Sequence, residues 1–238
     1  MRKILLSAFI IVQLLNGNRV KAQRQEFSGW GAYFHTQKFS KHWGALFDAQ
    51  FRSADEIKYL KHPLIRPALS YYFNPNQLAS VGYLFTGTYN HAPEGNTFRR
   101  EHRSFEQFIH NHKVNTSIAV QHRFRLEQRY VDQLQEKDAF FAQRFRYFVR
   151  GVVPFKKEST FNKGAFVGLQ NEVFANVQNR DKVNGSIFDQ NRAYVALGYR
   201  VSKQFDVEAG YLNQFINQVE QNTMNHILQV ALYTRLGF

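Results

Sequence analysis

Along nearly the whole chain beyond residue 22, apolar and polar residues alternate with a period of two, the pattern of strands that bury one face only. From His42 to Arg52, Trp43, Ala45, Phe47, Ala49 and Phe51 share one face, while His42, Asp48, Gln50 and Arg52 share the other. From Ser117 to Tyr130, Ile118, Val120, Phe124 and Leu126 oppose Gln121, Arg123, Arg125, Glu127 and Arg129. Phe141, Phe145, Tyr147 and Val149 oppose Arg144, Arg146 and Phe148, and Ala193, Val195, Leu197, Tyr199 and Val201 oppose Gln190, Arg192 and Arg200. Phe205, Val207, Ala209 and Tyr211 likewise oppose Asp206 and Glu208. The apolar face is rich in aromatics and the polar face in Arg, Glu, Asp and Gln, which suits a closed barrel with lipid outside and a charged lumen.

Segments of this kind fall at 27–36, 41–52, 63–74, 77–88, 99–111, 115–130, 140–153, 163–175, 188–201, 204–215 and 224–238. Bacterial single-chain barrels have even strand numbers, so the expectation is an all-β, antiparallel up-and-down transmembrane β-barrel of ten or twelve strands. A soluble lipocalin-like binder is the reading with the faces inverted, with Phe47, Phe145 and Leu197 inside and the arginines outside. Short links at 37–40, 74–77, 112–114 and 202–203 alternate with longer polar ones at 53–62, 89–98, 131–139, 176–187 and 216–223. In outer-membrane barrels short turns face the periplasm and long loops the exterior, which leaves the C-terminus periplasmic. Tyr71, Tyr72, Phe73, Phe155, Tyr199 and Phe205, beside the short links, are expected to form the periplasmic aromatic girdle.

Both ends of the chain point to the same compartment. Arg2 and Lys3 precede an apolar run from Ile4 to Leu15, and Val20-Lys21-Ala22 is a small-x-small cleavage site, so residues 1–22 read as a cleaved secretory signal peptide and 23–238 as a single barrel domain. The apolar run is shorter than the roughly 20 residues of a membrane-spanning helix. At the other end Leu228, Val230, Leu232, Thr234, Leu236 and Phe238 alternate to a terminal phenylalanine, and Leu236 with Phe238 reads as a signal to the barrel assembly machinery. The expected location is the outer membrane, and the expected state a monomer.

Composition changes the picture in two ways. No cysteine is present, so sheet closure, not disulfides, has to supply stability. The formal net charge is +13, and without Arg2, Lys3, Arg19 and Lys21 there remain 27 basic against 18 acidic residues. Such a balance is also found in nucleic-acid binders, but secretion leaves lipopolysaccharide phosphates and small anionic solutes as the partners to expect, with no nucleic acid.

Three constellations are candidates for chemistry. The first is the charged ladder of Arg123, Arg125, Glu127, Arg129, Arg144, Arg146, Glu172 and Arg192, whose guanidinium forks bind carboxylates bidentately. It reads as a charge network that fills and rigidifies a narrow lumen, with the lining of an anion-selective passive pore as the sharper alternative. The second is the histidine group His102, His110, His112 and His122, which has no recognised ligand spacing, so neither a metal nor another cofactor is expected. The third is a lipid hydrolase of deacylase or phospholipase type, with Ser104 beside His102 or Ser117 with His122. A nucleophile needs a base within hydrogen-bond reach, and no motif supplies one here; no catalytic residue is assigned.

Several stretches together resemble the outer-membrane barrel family catalogued as domain of unknown function 2490. They are 43–52, Arg66-Pro67-Ala68-Leu69-Ser70-Tyr71 with Val81-Gly82-Tyr83, Glu101-His102-Arg103-Ser104-Phe105-Glu106-Gln107, 123–129, 144–147, Asn171-Glu172, and 188–192 through 210–214. The resemblance implies a barrel and carries no activity or catalytic residue with it.

Overall fold

The computed structural model describes residues 23–92, 95–115, 117–133, 138–156 and 160–237; the leader read at 1–22 and the terminal Phe238 lie outside the described residues. Among the described residues the chain forms eleven strands. They are β1 (Gln23–Lys38), β2 (Trp43–Ala54), β3 (Tyr59–Asn74), β4 (Gln77–Ala92), β5 (Gly95–Lys113), β6 (Ala119–Val131), β7 (Phe140–Pro154), β8 (Gly164–Gln178), β9 (Phe188–Ser202), β10 (Phe205–Ile216) and β11 (Asn222–Leu236). Each pairs antiparallel with the next, and β1 closes on β11 to complete an up-and-down barrel.

The strand count is eleven, not the ten or twelve expected. An odd number of up-and-down strands brings the last one back in the direction of the first, so the closing pair has to be parallel. It is: Gln23 to Gln37 run in register with Asn222 to Leu236. A parallel ladder is slightly less stable per residue than an antiparallel one, and this one is long. Even numbers are a regularity of bacterial barrels; hydrogen-bond closure itself does not demand them.

The connections after odd-numbered strands (39–42, 75–76, 114–118, 155–163 and 203–204) lie at the end where β11 finishes, called here the lower end. The remaining connections lie at the upper end, where β1 begins. Loop length does not separate the two ends as the sequence reading expects. β2 and β3 run on to a tight reversal in which Asp55, Glu56 and Ile57 all have positive φ (49°, 55° and 73°). The β4–β5 ladder continues to the Ala92–Gly95 pair, and the lower connection 155–163 is as long as any above. Residues 95–100 are exposed on both faces, so alternation vanishes there while the hydrogen-bond ladder goes on.

The faces themselves are sharply sorted. Val81, Phe124, Phe145, Val195, Leu197, Leu228 and Val230 are exposed on the outer wall, whereas Arg66, Arg125, Glu127, Arg144, Arg146, Glu172 and Glu208 are buried inside. The inverted, lipocalin-like arrangement is not the one adopted. Tyr71, Phe73, Phe155 and Tyr199 stand outward near the lower end as a girdle, with Tyr71 edge-on to Trp43 and Phe73. Tyr72 does not join them: its neighbours point outward, so it points inward and packs with Leu78 and Ile109. A second apolar cluster, Trp30, Tyr194, Ala196, Leu212 and Ile227, fills the opposite side of the interior.

Candidate functional site

Strand register assembles the charged interior. Across β6 and β7, Arg125 faces Arg146 and Glu127 faces Arg144; across β5 and β6, Gln107 faces Arg125; across β8 and β9, Glu172 faces Arg192. Arg125 opposite Arg146 is a like-charge pair that destabilises by itself. Carboxylates on the diagonals cancel that cost. Glu127 accepts hydrogen bonds from Arg144 Nη2 (2.8 Å) and Nε (3.2 Å) and from Arg146 Nη1 (2.5 Å), with Arg103 at 3.6 Å and Arg125 at 3.7 Å. Arg146 also forks onto Glu172 at 2.7 and 3.1 Å, and Arg123 reaches the same oxygen at 2.7 Å.

The network continues upward. Arg144 donates to Asp189 at 2.8 Å. Arg103 holds Glu101 bidentately at 2.7 and 2.8 Å, and Arg129 joins it at 2.6 Å. Every one of these carboxylates is shared by two or more guanidinium groups or embedded beside one, which is the geometry a buried charge needs to offset its desolvation. Seven residues of the sequence-derived ladder (Arg123, Arg125, Glu127, Arg129, Arg144, Arg146 and Glu172) are thus brought together around one interior. Arg192 enters the same interior, and among the described residues no carboxylate lies within hydrogen-bond distance of it. Leu236 ends β11 on the outer wall, exposed.

Below the network lies a cavity of about 830 Å³, which reaches the lower end beside Asn76, His112, Lys113 and Arg235. Glu101, Arg103, Glu127, Arg129, Arg144 and Asp189 do not line it; they sit above its floor. Its wall is built of arginines resting on rings: Arg123 lies 4.4 Å from the Phe148 ring centre, Arg125 4.4 Å from Phe105, Arg150 5.1 Å from Tyr233, and Arg52 4.0 Å and Arg192 5.2 Å from the same Trp30. Phe105 fits only because residue 82 is glycine, where a Cβ would stand 2.3 Å from the ring. Near the mouth Arg150 pairs with Glu208 at 2.6 Å and Arg200 with Asp206 at 2.8 Å.

The charged ladder read from the sequence leaves out Arg66, Arg103, Glu101 and Asp189, and Arg52 is placed only on the polar face of its strand. Their alternation was visible, since Glu101, Arg103, Phe105 and Gln107 all fall on one face of β5. What was not visible was which strands would bring carboxylates to which arginines, because that depends on barrel stagger.

The other constellations do not assemble. Ser104 Oγ donates to Gln128 at 3.0 Å, while His102 is bonded to the Tyr83 hydroxyl. Ser117 sits in the β5–β6 connection, and His122 bonds the Tyr147 hydroxyl at 2.8 Å. His110, His112 and His122 stack face to face, with centroids 5.1 to 6.5 Å apart. Among the described residues no cluster of His, Asp or Glu has the arrangement to hold a metal ion.

No curated protein and no solved structure matches the chain. Residues 27–225 match the model of the family described as "Protein of unknown function (DUF2490)". That span takes in most of the chain and ten of the eleven strands in full or nearly so, and the chain belongs to this family.

Proposed function

We propose that the protein is a monomeric barrel of the bacterial outer membrane whose lumen is sealed in its upper half by the arginine–carboxylate network, so that it works as a structural or binding barrel and not as an open channel. The observation that carries this reading is the sorting of faces: an apolar outer wall around a buried, ion-paired interior. A soluble barrel gains nothing from exposing Val81, Val195, Leu197, Leu228 and Val230 together, whereas a lipid-facing wall requires it. Strands of 12 to 19 residues exceed the roughly 9 to 11 that a tilted strand needs to cross a bilayer.

Polar groups on the outer wall fit the same reading because they bond one another, as lipid-facing polar groups must. Asn171 and Asn191 exchange amide hydrogen bonds at 3.1 and 3.3 Å, and Gln128 links Ser104 to Glu106 at 3.0 and 2.9 Å. Bilayer lipid, lipopolysaccharide and the barrel assembly machinery are then the partners the location entails, and the secretory pattern at 1–22 supplies the route.

The test is fractionation and conductance. The folded protein should be recovered with outer membranes, migrate differently on gels with and without boiling, and give no sustained conductance in planar bilayers. Recovery as a detergent-free soluble species overturns the membrane reading. A stable ohmic conductance overturns the sealed lumen.

A further inference from the structure

The interior arginines are not matched one for one by carboxylates. Arg66 has Asp48 at 2.8 Å, Arg150 has Glu208, and Arg200 and Arg235 share Asp206. Among the described residues, Arg52 and Arg192 have no carboxylate within ion-pair distance, and Arg125 has only Glu127 at 3.7 Å, beyond hydrogen-bond reach and shared with Arg144 and Arg146. Arg52 donates only to Gln50 and Arg125 only to Gln107, and Arg192 lies against the Trp30 and Phe174 rings. All three line the floor of the lower cavity. Arg125 Nη1, Arg192 Nε and the neighbouring Arg66 Nε are buried with no hydrogen-bond partner, although Arg125 and Arg66 are only 2% and 5% exposed. A buried guanidinium N–H left unbonded is costly, and two uncompensated cations beside a third that only shares a carboxylate are costlier.

We infer that this floor is a binding site for a phosphate monoester that enters from the lower end. A phosphate group brings close to two negative charges and three strong acceptor oxygens, which matches the two uncompensated forks of Arg52 and Arg192 and the underbonded fork of Arg125 better than a carboxylate with its two oxygens. Arginine recognises phosphate bidentately, and stacking on Trp30 and Phe105 fixes the forks before the ligand arrives. Asp48 Oδ1, also buried without a hydrogen-bond partner, adds an acceptor for a ligand hydroxyl, so an ester of a polyol fits the floor better than bare phosphate. The cavity has room for more than the phosphate, and the same head group is carried by a free solute or by a lipid.

The inference rests on the reading of an arginine-lined interior within a membrane barrel, and its test keeps the two apart. The chain has two tryptophans; Trp43 is on the outer wall, 47% exposed, and Trp30 is in the interior, 6% exposed. In a Trp43→Phe background, fluorescence therefore reports on Trp30 alone. Glycerol 3-phosphate added to the detergent-folded protein should change that fluorescence saturably and more tightly than inorganic phosphate or succinate. Arg52→Gln and Arg192→Gln should each weaken it about tenfold or more, given the strength of charged hydrogen bonds. Arg100→Gln, outside the interior on an exposed pair with Asp132, should leave it within twofold.

Stability supplies an independent readout. Removing an uncompensated cation should leave the urea midpoint of Arg192→Gln at or above that of the parent, whereas a structural arginine would lower it. Equal binding of glycerol 3-phosphate and lysophosphatidic acid assigns the site to a solute, and binding of the acylated form alone assigns it to a lipid. Affinity unchanged in the Arg52→Gln, Arg192→Gln double variant overturns the site. A heat-modifiable barrel that binds none of these phosphates overturns the site and spares the barrel; a soluble protein that binds them through Arg52 and Arg192 overturns the membrane reading and spares the site.

Discussion

Replacing Glu127 by glutamine removes one charge at the centre of the interior and almost no volume. Glu127 is 1% exposed and takes two hydrogen bonds from Arg144 on one oxygen and one from Arg146 on the other. Glutamine keeps one acceptor, which settles toward Arg144, and turns its NH₂ toward Arg146, where donor meets donor. Hydrogen bonds to charged groups contribute about 1.5–3 kcal/mol each, and removing one partner of a buried ion pair costs about 3–5 kcal/mol. Arg144 retains Asp189 and Arg146 retains Glu172, which places Glu127→Gln near the lower bound, about 3 kcal/mol. The assay is urea unfolding in detergent micelles followed by tryptophan fluorescence, with midpoint and slope compared. Arg100→Gln, which breaks the exposed pair with Asp132, should cost under about 1 kcal/mol. Glu127→Met combined with Arg144→Met should recover part of the loss, since apolar replacement of a whole buried pair is often neutral. A Glu127→Gln midpoint indistinguishable from that of Arg100→Gln would refute the view that the network holds the interior together.

Leu197, 67% exposed on the outer wall, should tolerate alanine but not arginine, which costs about 2–4 kcal/mol near the bilayer midplane; the yield of heat-modifiable protein after refolding into vesicles checks this. Gly82→Ala should cost about 1–3 kcal/mol, as overpacking does, because its Cβ would stand 2.3 Å from Phe105 and 2.7 Å from the Pro67 carbonyl; the urea midpoint reads the loss. With no native cysteine, single cysteines report topology. Those at Arg24 and Gln218 should react with an impermeant maleimide from one side of the membrane and one at Lys203 from the other, and equal labelling of all three would break the parallel β1–β11 closure.

The strands were legible where the barrel wall is two-faced. Alternation over 117–130, 141–149 and 190–201 located β6, β7 and β9 and put Arg125, Arg146 and Arg192 on the face they occupy, because the two walls of each strand differ in polarity there. The same signal gave out where that demand lapses. Among the described residues at 89–91 and 95–100 both faces are exposed, so these parts carry no pattern although the ladder between them is intact. The strand total was misjudged for a different reason: eleven segments were countable, and a family regularity was allowed to outweigh them. Tyr72 was misplaced by reading Tyr71, Tyr72 and Phe73 as one aromatic block, when a strand sends the middle residue the opposite way. Partners across the interior, such as Arg144 with Asp189 forty-five residues on, are set by stagger around the barrel and leave no local trace.

The ion-paired upper part of the interior and the cavity below it differ in where acids fall along the strands. In the upper half Glu101, Glu127 and Asp189 come from three different strands, and each meets an arginine of another strand, Asp189 reaching across β8 to Arg144, so ion pairs span several strands there. One level down, Glu172 serves both Arg123 and Arg146, and the arginines beside it turn to Trp30, Phe105 and Phe148 for contact. Rings offer a guanidinium a surface but accept no hydrogen bond as strong as a carboxylate's; a cation there is held in place and left underbonded. Had glutamates stood at Gln50, two residues before Arg52 on β2, and at Gln107, opposite Arg125, the network would have extended downward toward the cavity floor. Neutral amides at those two positions keep the arginines oriented and their charge unspent, and Gln107→Glu should therefore both stabilise the barrel against urea and weaken any anion held below.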